Sequence, residues 1–293
     1  MMKIGFMSDL HLEFCGYPNK MNSEGGDVLI LAGDITSASL FARRKNTESG
    51  YRTDGDSVKA RKNFEKLIRE VGGNFSRIFM VMGNHDHYQG IYDNSAAIYR
   101  EYFAEHLIPV EVLNRDAVEV DGVVIVGASL WTDFDRANAM TMYDAQAGMN
   151  DYRVIGRPLG TDTGKTSGDI HEPFSMYVTP KLTPEFILDE HRKDLSFIRK
   201  SLDSNLGKNV VVVTHHCPSA QSLNRKHSGN GLDGCYYTDL EDMIHSYPNI
   251  KAWIHGHTHM SVDYEIGYTR ILANQCGYTH ENMKFTGAKV IEL

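Results

Sequence analysis

Long apolar runs are missing from this 293-residue sequence: nowhere does it hold the roughly 20 consecutive apolar residues a bilayer crossing needs. The opening stretch Met1-Met2-Lys3-Ile4-Gly5-Phe6-Met7-Ser8-Asp9 meets an acid too early for a secretory leader, so a cytoplasmic location without membrane contact is expected. Cysteine is scarce. Cys15, Cys217, Cys235 and Cys276 form no C-x-x-C pair, which argues against a zinc knuckle and a disulfide framework and leaves free thiols as the expectation. Positive charge is in deficit: 30 Lys and Arg against 38 Asp and Glu give a net charge of -8, with a pI near 5.9. Such a surface repels polyanions and argues against an extended nucleic-acid interface. Internal repeats and low-complexity tracts are absent too, and a content of 41% hydrophobic and 23% charged residues is that of an ordinary globular chain.

Short apolar runs are present in number. Ile4–Met7, Val28–Ala32 and Ile78–Met82 are apolar on both faces, the pattern of buried strands. Between the second and third, Ala60, Phe64, Leu67, Ile68 and Val71 fall at helical spacing, begun by Asp56-Ser57 and stopped by Gly72-Gly73. A second helix is predicted at Ser95–His106. Strands follow at Val110–Leu113, Ala117–Val120 and Val123–Gly127, the last two joined by an Asp121-Gly122 turn. Residues 132–183 show no sustained period and read as an irregular insert or cap. A helix from Thr183-Pro184 sets Ile187, His191, Leu195, Ile198 and Leu202 on one face. Then come a strand at Asn209–Thr214, a helix near Thr238–Ser246, and strands at Ala252–Ile254, Tyr264–Ile266, Thr269–Ala273 and Lys289–Glu292. Nothing marks a boundary, so one α/β domain over residues 1–293 is expected.

Fourteen histidines stand out, because imidazole binds divalent metals. Five apolar strands run directly into polar clusters: Asp9-Leu10-His11, Gly33-Asp34, Gly83-Asn84-His85-Asp86, His215-His216 and His255-Gly256-His257-Thr258-His259. Each alone has a plain reading as a turn, a cap or a packed histidine. Together they do not, because the carboxyl ends of parallel strands share an edge where ligands bind. Two Asp, one Asn amide and four His exceed a closed tetrahedral site and suit two adjacent divalent cations, with Asp34 the natural bridge. A nitrogen and oxygen donor set without thiolate fits Mn, Fe, Zn, Ni or Co.

The order D-x-H, G-D, G-N-H-D, H, G-H-x-H resembles the calcineurin-like metallophosphoesterase superfamily from Asp9 to His259. The resemblance implies two mixed β-sheets packed as a sandwich and flanked by helices. It implies that Asp9, His11, Asp34 and His259 hold one metal, and that Asp34, Asn84, His215 and His257 hold the other. It further implies a hydroxide bridging the metals as nucleophile, with His85 protonating the leaving alkoxide and Asp86 fixing its tautomer. The protein Ser/Thr phosphatases carry G-D-x-V-D-R-G and G-N-H-E; Gly33-Asp34-Ile35-Thr36-Ser37 and Asp86 depart from that branch. The match is closer to uncharacterised bacterial and phage members with S-D-L-H-L-E-F, S-L-W-T-D-F, M-N-D-Y-R and G-Y-x-x-E-N, here Ser8–Phe14, Ser129–Phe134, Met149–Arg153 and Gly277–Asn282.

A substrate contact is expected from Arg153, by bidentate pairing with phosphate, and from His216, with Tyr152 and Tyr278 as stacking or packing aromatics. Few other basic residues lie near the motifs, since Lys3, Arg77 and Lys251 sit at strand starts. The expectation is therefore a phosphodiesterase on a small or nucleotide-type substrate. Its rivals are a phosphomonoesterase or DNA exonuclease of the same superfamily and, from another class, a metal-stabilised scaffold. The oligomeric state is left open.

Overall fold

The computed structural model describes residues 1–44, 47, 50–157, 170–171, 179–225, 229, 231–279 and 281–293. Its strands form two sheets. In the first, β1 (Lys3–Met7), β2 (Gly26–Ala32), β3 (Phe75–Val81) and β4 (Val110–Val112) run parallel, and β11 (Lys289–Glu292) joins the β1 edge antiparallel. The second orders β5 (Asp116–Val120), β6 (Val123–Gly127), β7 (Asn209–Val213), β8 (Ile250–His255), β10 (Thr269–Ala273) and β9 (Val262–Ile266), with β6-β7-β8-β10 parallel and β5 and β9 antiparallel edges.

Strand alternation explains the continuous apolar runs. Ile4 and Phe6 of β1, Ile30 of β2 and Phe79 of β3 face inward onto Ile125, Val211, Val213, Ile254 and Leu272 of the other sheet. Their neighbours Met7, Leu29, Leu31 and Met80 face outward, where α1 (Gly55–Glu70) and α2 (Ser95–Glu105) cover them with Phe64, Leu67, Tyr99 and Phe103. On the far side, Val124, Val210, Val212 and Trp253 pack under Ile198 and Leu202 of the long helix Pro184–Asp203 and under Met243 and Ile244 of the short helix Glu241–Ser246. The layers are thus helix, sheet, sheet, helix, as the resemblance implied.

Local signals set the helix starts. Asp54 caps α1 by accepting from Ser57 N, two residues before the expected start, and Thr183 accepts from Phe186 N with Pro184 at the first helical position. Each cap contributes about 1 kcal/mol. The expected insert is more ordered than its composition suggested. It holds the helices Ala139–Gly148 and Asp151–Val154, preceded by a left-handed turn in which Phe134, Asp135, Arg136 and Ala137 all have φ between 53° and 61°. Only Ala145 of the first of these helices is buried, so it leaves no apolar stripe to read. Tyr152 and Ile155 pack with Trp131, Phe134, Leu182 and Ile187 in a separate small core. The rest of the expected insert, residues 158–169 and 172–178, lies outside the described residues, as do His227 and His280. Among those described, no helix is long and apolar enough to cross a membrane.

Candidate metal centre

β1, β2 and β3 of one sheet and β7 and β8 of the other end at the same rim, and each motif begins within two residues of its strand's end. The chain turns there through strained backbone. Asp9, His11, Asp34, His257 and His259 have φ of 56°, 44°, 53°, 81° and 52°, the left-handed region that L-residues avoid. Their backbones are tied to one another: Asp9 N donates to Gly33 O, His11 N to Asp34 O, His257 N to Asp9 Oδ1 at 3.0 Å, and His85 N to Asp34 Oδ1 at 2.8 Å. Two motif glycines keep the centre open, since a Cβ at Gly83 would overlap Asp34 Oδ1 and one at Gly33 would overlap His215.

The ligand atoms converge on Asp34. Asp9, His11 and His259 offer atoms all within 4.8 Å of one another, and so do Asp34, His215 and His257, and also His11, Asp34 and His85. His215 Nδ1 faces the carbonyl of Ala32 at 2.9 Å, which fixes its proton on Nδ1. Its Nε2 therefore faces two acceptors, Asn84 Oδ1 at 3.2 Å and Asp34 Oδ2 at 3.3 Å, an arrangement that calls for a cation on that nitrogen, either a proton or a divalent metal. His259 Nδ1 is likewise claimed by Glu281 Oε2 at 2.5 Å, leaving its Nε2 lone pair 3.0 Å from His11 Nε2 and 3.5 Å from Asp9 Oδ1. His257 Nε2 is buried without a partner. Lone pairs held this close repel unless a cation lies between them, so the donor set fits divalent cations.

Charge follows the same geometry. Burial works to raise the Asp34 carboxyl, but the imidazoles of His215, His85 and His11 overcome it and hold Asp34 well below the usual carboxylate range. Burial and the neighbouring Asp34 charge push the Asp86 carboxyl up from its ordinary value, against the hydrogen bonds donated to it. Burial, then His216 and His215, holds His257 well below its ordinary value, so this imidazole stays neutral and able to ligate.

Asp86 departs from the role expected for it. Its Oδ2 accepts from Asp34 N at 2.8 Å and Gly83 N at 2.7 Å, and its Oδ1 accepts from Tyr99 Oη at 2.8 Å, so both oxygens are committed to bracing the loops. The carboxylate beside His85 Nδ1 is Glu13, at 3.4 Å. His85 and Asp86 are adjacent in a single 3₁₀ turn, where neighbours project about 120° apart.

Above the rim lies a cavity of about 490 Å³. Asp34, Asn84, His85, His257 and His259 form its floor, and Tyr88, Met149, Asp151, Leu232, Asp233, Tyr236 and Tyr278 form much of its wall. Among the described lining residues there is no lysine or arginine. Arg153 stays off this wall: its guanidinium turns back to donate to the carbonyl of Ala147 and lies 3.4 Å from Asn150 Oδ1. His216 is fully buried behind His257, with ring centroids 4.0 Å apart, and packs on Trp131. Tyr152 is packed in the insert's core, whereas Tyr278 does reach the wall, with its hydroxyl 3.1 Å from His85 Nε2.

Three acids absent from the expected set hold the ligands in place. Asp151 accepts from Asn84 Nδ2 at 2.9 Å and so turns that amide's oxygen toward His215; Glu281 holds His259; Glu13 faces both His11 and His85. Each sits in a quoted stretch, M-N-D-Y-R, G-Y-x-x-E-N or S-D-L-H-L-E-F, which is the signal that could have found it.

A family model described as calcineurin-like phosphoesterase matches residues 2–261. The uncharacterised protein L509 of Acanthamoeba polyphaga mimivirus is 23% identical over 306 residues, covering 98% of this chain and 95% of that protein. Among solved structures, the phosphopantetheinyl hydrolase of Mycobacterium tuberculosis is similar, with a TM-score of 0.61 and 17% identity over 99% of this chain and 95% of its own. That likeness speaks for the fold. The chain belongs to the calcineurin-like phosphoesterase family, hydrolases acting on phosphoester bonds, and its rim carries candidate metal-binding clusters.

Proposed function

We propose that this single-domain chain is a dinuclear-metal phosphodiesterase of the cytoplasm, acting on a small or nucleotide-type substrate. Asp9, His11, Asp34 and His259 would hold one divalent cation, and Asp34, Asn84, His215 and His257 the other. The observation that carries the reading is the convergence of lone-pair donors on Asp34 at the floor of a cavity whose described lining holds no lysine or arginine. Cations bound there would neutralise phosphoryl charge and supply a nucleophilic water at neutral pH. Mn, Fe, Zn, Ni or Co suits the donors.

The chain's own groups do the rest. His85 presents Nε2 to the cavity beside Tyr278 Oη, placed to deliver a proton to the departing alkoxide. Asp86 braces the Asp34 and Gly83 backbones and so fixes where the shared carboxylate sits. A diester carries one phosphoryl charge, whereas a monoester carries nearly two and calls for further cations from the wall. Matched p-nitrophenyl diester and monoester substrates, assayed with Mn with and without chelator, test this. Higher kcat/KM on the diester, abolished by chelator, is expected; a clear monoester preference would make the chain a phosphomonoesterase, and no metal-dependent turnover on either would leave a scaffold.

A further inference from the structure

The Glu13 side chain is 6% exposed. Its Oε1 lies 3.4 Å from His11 Nδ1, within hydrogen-bond reach, and 3.4 Å from His85 Nδ1, an ion-pair contact, while Glu13 Oε2 and His85 Nδ1 are both buried with no other partner. The two imidazoles meet edge to face with centroids 4.4 Å apart. His85 is further confined by Tyr88, stacked on its ring at 4.0 Å, and by Phe14, edge-on at 5.8 Å. With Nδ1 directed at Glu13, its remaining nitrogen, Nε2, faces Tyr278 Oη. A metal ligand and a catalytic imidazole therefore share one anchor.

We propose that Glu13 is a positioning residue shared by His11 and His85, one carboxylate serving as the acceptor for the Nδ1–H of both so that both Nε2 atoms are presented to the reaction. The proposal rests on the hydrolase reading above. In the leaving step the His85 Nε2–H bond breaks and an alkoxide O–H bond forms, and the second imidazole proton stays on Nδ1, where Glu13 accepts it. An acceptor at Nδ1 is what sets that tautomer, because the nitrogen that is bonded keeps the proton. Glu13 also places His11 by the same contact, so the distance between cation and proton donor is set by a single side chain.

Glu13→Gln keeps the shape and an acceptor oxygen but removes the charge, and Glu13→Leu removes the acceptor. With both variants reconstituted with Mn, Glu13→Gln should retain two metals per chain yet lose about 10- to 100-fold in kcat on diesters with alkyl leaving groups. On p-nitrophenyl diesters, whose leaving group needs little protonation, the loss should stay below about threefold. In the zinc-loaded protein with ¹⁵N-histidine, His85 should carry its proton on Nδ1, and Glu13→Leu should shift it toward Nε2. Equal losses on both leaving groups, or an unchanged His85 tautomer in Glu13→Leu, would overturn the role. The imidazole spectrum needs no substrate, so a wild-type protein inert on every diester sinks the phosphodiesterase reading while the tautomer still decides for or against Glu13.

Discussion

Strands β1, β2 and β3 have opposite characters on either side of the residue at which they end. Between the sheets Ile4, Phe6, Ile30 and Phe79 are regular in backbone, apolar and no more than 1% exposed. A few residues on, Asp9, His11 and Asp34 are just as deeply buried, but they are polar and held in left-handed backbone. Burial in the first region stabilises the fold, at about 25 cal/mol for each Å² of apolar surface removed from water. In the second, burial carries a desolvation cost that the imidazoles around Asp34 offset in part and that a divalent cation between the donors would offset further. The sandwich thus holds the rim in a geometry that the rim's own residues would not adopt alone.

Asp34→Asn breaks the contrast most strongly. Removing the shared negative charge should empty both sites and lower turnover by at least about four orders of magnitude, since each cation contributes several kcal/mol at the transition state. Asn tolerates the left-handed φ of 53° at this position and keeps an acceptor for His85 N, but it gives up the charge that the imidazoles of His215, His85 and His11 favour, so the chelator-treated variant should melt only modestly below chelator-treated wild type. A drop in metal-free melting temperature as large as that of a core truncation would show that the rim helps hold the fold.

What could be read from the sequence divides along the same line. Strands buried on both faces announce themselves as apolar runs, and the ligands follow them within a few residues, so both were legible locally. The positioning acids Asp151 and Glu281 were not, because their meaning lies in partners far along the chain. Asp151 reaches Asn84 across 67 positions, and within M-N-D-Y-R the eye is drawn to Arg153. A four-residue helix sends those two side chains different ways, and no period is long enough to reveal it. The pairing expected of His85 and Asp86 failed for a related reason: adjacency in sequence does not bring side chains together in a 3₁₀ turn. The helix at Ala139–Gly148 escaped because it covers solvent on most sides.

Ile4→Ala probes the other half of the contrast. Ile4 is fully buried between the sheets on β1, the strand that delivers Asp9 and His11. Truncation should cost about 2–5 kcal/mol, read as a lower denaturation midpoint in urea at unchanged slope. Molecules that remain folded should still bind both cations and turn over at the wild-type kcat. A matching loss of kcat per folded molecule would mean that strain at the rim depends on the packing beneath it.

The smallest effect is expected at Arg153. The short helix Asp151–Val154 places Asp151 toward Asn84 and Tyr88 Oη, and leaves Arg153 exposed, its guanidinium spent on the carbonyl of Ala147 and near Asn150. A solvated arginine with those partners contributes little to stability or to a cavity it does not line. Arg153→Ala should therefore change kcat/KM on a diester by less than about threefold, within the roughly 0.5 kcal/mol typical of surface substitutions. The measurement is informative in both directions. A loss above about tenfold, falling on KM with metal content unchanged, would require the guanidinium to swing over the cavity when substrate binds and pair with its phosphate. The insert would then take part in recognition, and the line between a scaffold that stabilises and a rim that acts would have to be drawn one layer further out.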